Sequence, residues 1–200
     1  MTTSHLVSRA RCLLPALALV LAAADGAAQA SNRLTPAERA AGWRLLFDGR
    51  TLAGWRGLGY DSVPTAHWRV VDGAIVKTPT ARVKRQADGQ PAAGGDLMTV
   101  DAFRDFELAF EWRVTAAANV ARPAGAWNAV GLIVRGAHVE HWLNGVKIVE
   151  YELGSDDWMA RLRVSPFRDA PGYGREPRGH IVLQDHGDRV AYRSVKIRVL

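Results

Sequence analysis

Between Arg135 and Glu152 the chain reads RGAHVEHWLNGVKIVEYE, two runs rich in Val, Ile, Trp and Tyr on either side of Asn144-Gly145. Asn-Gly tolerates positive φ at both central positions of a type I′ turn, whose twist matches that of paired antiparallel strands, so this stretch predicts a tight β-hairpin. Successive strand residues point to opposite sides of a sheet. Val139, His141 and Leu143 therefore share one face of the first strand, the drier one, and His138, Glu140, Trp142 and Asn144 share the other.

The same logic repeats elsewhere. Asp72-Gly73 joins His67 to Val71 with Ala74 to Thr78 as a second hairpin. Phe103 to Val114 alternates most clearly, with Phe106, Leu108, Phe110 and Trp112 against Glu107, Ala109, Glu111 and Arg113, the pattern of a half-buried antiparallel strand. Trp43 to Phe47, Trp127 to Val134, His180 to Gln184 and Arg189 to Leu200 read as further strands, and Ala81 to Gly95 and Ala116 to Ala126 as loop and connection. Thr35-Pro36-Ala37-Glu38 forms a capping box for a short N-terminal helix ending near Gly42. Ser155 caps a second helical turn carrying Asp156 and Asp157 at its positive end. Many short strands with tight glycine turns predict an all-β sandwich or jelly roll.

Arg9 and Arg11 precede the apolar run LLPALALVLAAA, and Ala28 and Ala30 bracket Gln29 before Ser31. This is the pattern of a secretory signal peptide over residues 1–30 with cleavage near Ala30/Ser31, too short for a membrane span. The expected mature chain, 31–200, is one domain in the periplasm or outside the cell, without membrane insertion after signal removal. The single cysteine, Cys12, lies in the leader, leaving no disulfide. Net charge is +6, and the Lys and Arg residues are interspersed with Asp and Glu apart from Arg82-Val-Lys84-Arg85. No basic stripe marks a nucleic-acid partner.

No G-x-S-x-G, Walker-type loop, G-x-G-x-x-G or H-E-x-x-H occurs, so the enzymes those motifs label are not indicated. Seven segments do carry a resemblance: GWRLLFDGRTLAGW (42–55), WRVVDGAIV (68–76), GGDLMTVDAFRDFELAFEWRV (94–114), RPAGAWN (122–128), HVEHWLNGVKIVEYELG (138–154), FRDAPGYG (167–174) and GHIVLQDHGDRVAYRSVKIR (179–198). In this order they resemble the 3-keto-disaccharide hydrolase domain family, of the concanavalin-A-like lectin and glucanase superfamily. The resemblance implies a concanavalin-A-like jelly-roll β-sandwich acting on a saccharide or glycoside in which C3 of a glucosyl unit is already a ketone. That ketone acidifies the C2 proton, so a base can remove it while an acid assists departure of the aglycone from C1, and water then adds.

The chain departs from the family pattern after Val114, where the family carries a Gly-Asn-Ser-Gly run, a strand with paired Glu and Gln, and a His-Pro-Thr-Gly loop. Only Thr115 to Ala121 stand there. The sandwich is then expected to be incomplete, its unpaired strand edges inviting oligomerisation, and the carboxylates of that stretch have no counterpart.

Among the residues that remain, His186 and Glu111 are the candidate catalytic groups. His186, in the turn, is a residue type suited to acid or base work near neutral pH, and Glu111 is the best-placed remaining carboxylate for a base; the alternatives are a turn residue and a solvated Glu paired with Arg113 or a Lys. Gln184, Asp185, His141, Trp142, Glu140 and Asn144 are the candidate substrate-binding residues. Gln184 projects away from Ile181 and Leu183. Asp185 has a competing role in a turn that binds its own backbone, His141 in a core hydrogen bond, Asn144 in the hairpin turn. Trp142 and Glu140 offer a stacking ring and a carboxylate if their face lines the cleft. Glu107 reads as plain surface. No spacing defines a metal site, although a divalent cation such as calcium on Asp185 to Asp188 stays open. Three readings follow: an active 3-keto-glycoside hydrolase, a non-catalytic carbohydrate-binding or lectin-like module, and a shortened product that needs a partner strand.

Overall fold

The tight turns and the alternating strands set the frame. In the computed structural model, which describes residues 30–79, 95–114, 123–170, 172–185 and 187–200, the hairpin turns form as expected: Asn144 and Gly145 have φ of 49° and 84°, Asp72 and Gly73 of 49° and 71°. Helix α1 spans Pro36–Ala40 behind the full capping box of Thr35 and Glu38, and α2 spans Asp156–Arg163 behind Ser155, whose hydroxyl accepts from the Trp158 amide. The stretch expected to be a leader lies, up to residue 29, outside the described residues, as do Ala81 to Gly94 and most of the connection after Val114. No helix among the described residues is long and apolar enough to cross a membrane.

Among the described residues eleven strands follow in order: β1 (Arg44–Leu45), β2 (Trp55–Gly57), β3 (Trp68–Val71), β4 (Ala74–Lys77), β5 (Leu97–Phe103), β6 (Phe106–Val114), β7 (Asn128–Arg135), β8 (His138–Leu143), β9 (Val146–Glu152), β10 (Gly179–Leu183) and β11 (Val190–Val199). They make two antiparallel sheets. The large one runs β3-β4-β11-β6-β7-β8-β9, with β1 also on β11, and the small one β10-β5-β2. This is the all-β jelly-roll sandwich the sequence predicts. Two expectations shift: the run from Phe103 breaks at Arg104-Asp105, so Phe103 ends β5, and the strand expected over Trp43 to Phe47 reduces to two residues.

Register sorts the side chains. Phe106, Leu132, His141 and Val149 lie on one face of the large sheet because Leu108 pairs with Leu132, Leu132 with His141 and His141 with Val149. That face packs on the small sheet through Trp68, Ile75, Phe106, Leu108, Val195 and Ile197 against Trp55, Leu97, Phe103 and Leu183. The core therefore sits beneath β4, β11 and β6. The large sheet continues past it through β7, β8 and β9, and the edge strand leaves Val146, Ile148 and Val149 exposed by 64%, 60% and 45%. A bulge between His141 and Trp142 interrupts the β8–β9 ladder, the kind of twist that blunts an open edge.

On the opposite face, Glu107 is not plain surface. It is 4% exposed, paired with Arg198 at 2.5 Å and within 4.0 Å of Arg135. Its register partner on β11 is Arg198 itself, so the long arginine folds over the carboxylate instead of leaving it to water.

Candidate functional site

The segment Gln184-Asp185 leaves the end of β10, and alternation splits its two side chains: Gln184 is exposed and Asp185 has no exposed surface. Burying a carboxylate is costly unless it is paired and hydrogen-bonded. Asp185 meets Lys77 Nζ, equally buried at the end of β4, at 2.9 Å, and its Oδ1 accepts from the Gly187 amide at 2.8 Å. The Asp185 amide donates to Asp96 Oδ1 at 2.8 Å. The pair thus ties the large sheet to the small one, while the turn role also operates.

The second carboxylate oxygen is different. Among the described residues Asp185 Oδ2 is buried without a hydrogen-bond partner and lies 4.0 Å from His67 Nδ1, likewise buried and without one. The His67 side chain as a whole is 27% exposed, so part of it reaches solvent. Gly95 makes room for this arrangement: a Cβ there would overlap Asp185 Oδ2. Its carbonyl accepts from the Trp68 indole. Close by, burial and then the charge of Asp96 push the Tyr192 phenol up to about 12, keeping it protonated. An imidazole whose inner nitrogen faces a fixed carboxylate is the arrangement that general acid–base chemistry uses. His186 lies outside the described residues. Neither His67 nor Lys77 stood out in the sequence; the only signal was a lysine closing the apolar run of β4.

The remaining candidates separate onto the two faces of the large sheet. Glu111 lies on the face turned away from the small sheet and accepts from Arg193 Nε at 2.8 Å, Arg193 Nη2 at 3.2 Å and the Ser194 hydroxyl at 3.2 Å. Arg113 instead stacks on Trp127. Glu140 and Trp142 share that outer face, the indole donating to Glu140 Oε2 at 2.7 Å. His138 contacts Glu152 at 2.6 Å and Glu140 at 3.2 Å. Hydrogen bonding to Glu152, and then to Glu140, raises the His138 pKa. Burial would raise Glu140, but its hydrogen bonds to Trp142 and His138 outweigh it and hold the carboxyl below its ordinary range.

His141 lies on the inner face, stacked on Tyr151 with 5.8 Å between centroids and its Nε2 3.3 Å from the phenol oxygen. Burial lowers its pKa. Asn144 accepts from the Ala129 amide at 3.0 Å and donates to Asn128 Oδ1 at 3.1 Å. Among the described residues no three His, Cys, Asp or Glu side chains are grouped to hold a metal, and Asp185 is committed to Lys77.

Comparison with known proteins gives the site its context. The family model of the 3-keto-alpha-glucoside-1,2-lyase-like domain matches residues 42–120 and 114–198. The chain belongs to this family. The match is in two pieces that meet where the family's middle stretch is short here. A 3-keto-disaccharide hydrolase from Bacteroides thetaiotaomicron is 25% identical over 233 residues, covering 80% of this chain and 79% of that protein. An alignment longer than the whole chain means that the relative has residues without a counterpart here. A candidate glycosyl hydrolase from Parabacteroides distasonis superposes with a TM-score of 0.72 at 24% identity, over 86% of this chain and all of that one. A second from the same organism gives 0.52 at 19% identity, over 79% and 99%. The chain is thus a glycosyl-hydrolase-like protein of a carbohydrate-active family, on a shared sandwich.

Proposed function

We infer that this protein acts on a 3-keto-glucoside by elimination and hydration, with His67 as the base and Asp185 as the group that holds it. The observation that carries this reading is the buried Asp185 oxygen, without a hydrogen-bond partner among the described residues, facing His67 Nδ1 at 4.0 Å. Such contacts are often long in the absence of substrate and tighten when it binds.

In the proposed sequence the imidazole takes the C2 proton. The electron pair enters the enolate of the C3 ketone and then returns to form the C1–C2 double bond as the C1–O bond breaks. The departing oxygen receives a proton, leaving an enone to which water adds at C1 and a proton at C2. Asp185 stabilises the imidazolium while it exists. Lys77 fixes the carboxylate, and exposed Gln184 offers hydrogen bonds to sugar hydroxyls. His186, next along the chain, is the proposed proton donor. The leader supports export to the periplasm or beyond, which N-terminal sequencing of secreted protein beginning at Ser31 would test.

A second reading is a carbohydrate-binding module without chemistry. It draws on Glu111, a candidate base that Arg193 and Ser194 already occupy. Release of aglycone from a purified 3-keto-glucoside separates the two. The first reading expects turnover that falls by about 10²–10⁴ in His67→Gln; sugar binding with no turnover supports the second.

A further inference from the structure

We propose that the inner face of the β9 edge carries a binding site for a planar aromatic group, such as a phenol or the aryl aglycone of a glycoside. It is separate from the Asp185 cluster and does not depend on the reading of that cluster. Tyr151 projects from β9 on the same face as His141, and α2 brings Trp158 to line the same hollow. The loop after α2 brings Tyr173 onto Trp158 and Phe167 onto Tyr173, both in the segment FRDAPGYG. Together with Arg161 and Ser165 these residues line an open hollow of about 290 Å³.

The rings are nearly parallel. Phe167 and Tyr173 stack at 4.8 Å and 4° between planes, and Tyr173 and Trp158 at 6.2 Å and 18°. Phe167 is 38% and Tyr173 43% exposed, which is expensive for large apolar rings unless something covers them.

What covers them follows from the polar groups. The Ser165 hydroxyl donates to the Leu162 carbonyl and accepts from the Phe167 amide, Arg161 Nε is held by Asp157, and the Tyr151 phenol faces His141. A pyranose, with hydroxyls all round, would find most partners already engaged and would lose hydration without return. A flat ring with one or two hydroxyls fits: it stacks offset on the exposed rings, lies beside the Arg161 guanidinium, and turns a hydroxyl to the His141–Tyr151 pair. Burial raises the Tyr151 pKa, with a further contribution from Tyr173, and burial lowers that of His141. Both groups are then neutral at pH 7 and able to share a phenolic hydrogen bond.

Titration calorimetry of the full chain with p-nitrophenol, p-nitrophenyl β-glucoside and methyl β-glucoside tests this. Both aryl ligands are expected to bind and methyl β-glucoside at least tenfold more weakly. Tyr173→Ala and Phe167→Ala should each weaken aryl binding at least tenfold with an unchanged melting temperature, and Tyr173→Phe should retain it. Equal binding of the methyl and aryl glucosides, aryl binding that both alanine variants keep, or no aryl binding would overturn the proposal.

Discussion

Lys77 Nζ and Asp185 Oδ1 meet at 2.9 Å where β4 of the large sheet faces the end of β10 of the small one, both side chains only 1% exposed. A buried pair of this kind adds little compared with an apolar filling, yet losing one member strands a charge. Lys77→Met should therefore lower the unfolding free energy by about 3–5 kcal/mol. Lys77→Met combined with Asp185→Leu should recover a good part of that. Urea titrations of these variants and of Asp185→Leu alone check this; additive losses would mean that the charges do not act as a pair.

Gly95 sits where a methyl group would overlap Asp185 Oδ2. Gly95→Ala is expected to destabilise by about 1–3 kcal/mol, the usual range for forced overpacking. In an Asp185→Gly background the Oδ2, Cγ and Cβ that a methyl group at 95 would meet are all gone, and most of the penalty should vanish. A double-mutant cycle on thermal melts reads the coupling.

Asn144 combines a left-handed φ of 49° with hydrogen bonds to Ala129 and Asn128. Asn144→Ala loses both bonds and strains the turn, an expected cost of about 1–3 kcal/mol. Asn144→Asp keeps the acceptor and should cost less. Chemical denaturation of the two variants side by side decides it.

Two histidines of β8 should tilt stability with pH in opposite directions. His138 has a raised pKa in the folded state, so its stabilisation is complete below its ordinary value of about 6.5 and is lost as pH rises through the raised value. His141 has a lowered pKa. Between that lowered value and about 6.5 the unfolded chain binds the proton more readily, so His141 costs stability as the solution becomes acidic. Urea midpoints from pH 5 to 9 should show His138→Gln removing loss on the alkaline side and His141→Gln removing loss on the acid side. Unchanged profiles would contradict both assignments.

The turns were legible because their chemistry is local: Asn144-Gly145, Asp72-Gly73, the Thr35 capping box and the Ser155 cap each act within four residues. The inward face of β6 was legible for the same reason. Glu107 was not, since its burial depends on Arg198, ninety-one positions away, folding across it. Which strand face looks inward likewise depends on where the small sheet lies, so alternation placed His141 opposite Glu140 and Trp142 without saying which side was open. The Asp185 cluster joins His67, Lys77, Gly95 and Asp185 from three distant stretches, and nothing within any one of them announces it. The shortened stretch after Val114 was visible only against the family pattern, and the two-piece family match falls at the same point.

The most direct test of the account is the fate of the C2 hydrogen when the protein cleaves a 3-keto-glucoside in D₂O, followed by proton NMR. Elimination through a base at C2 predicts aglycone release with deuterium at C2 of the sugar product, faster than exchange of that product alone, and loss of both in His67→Gln with an intact fold. Aglycone release with the C2 proton retained, or undiminished in His67→Gln, would contradict it.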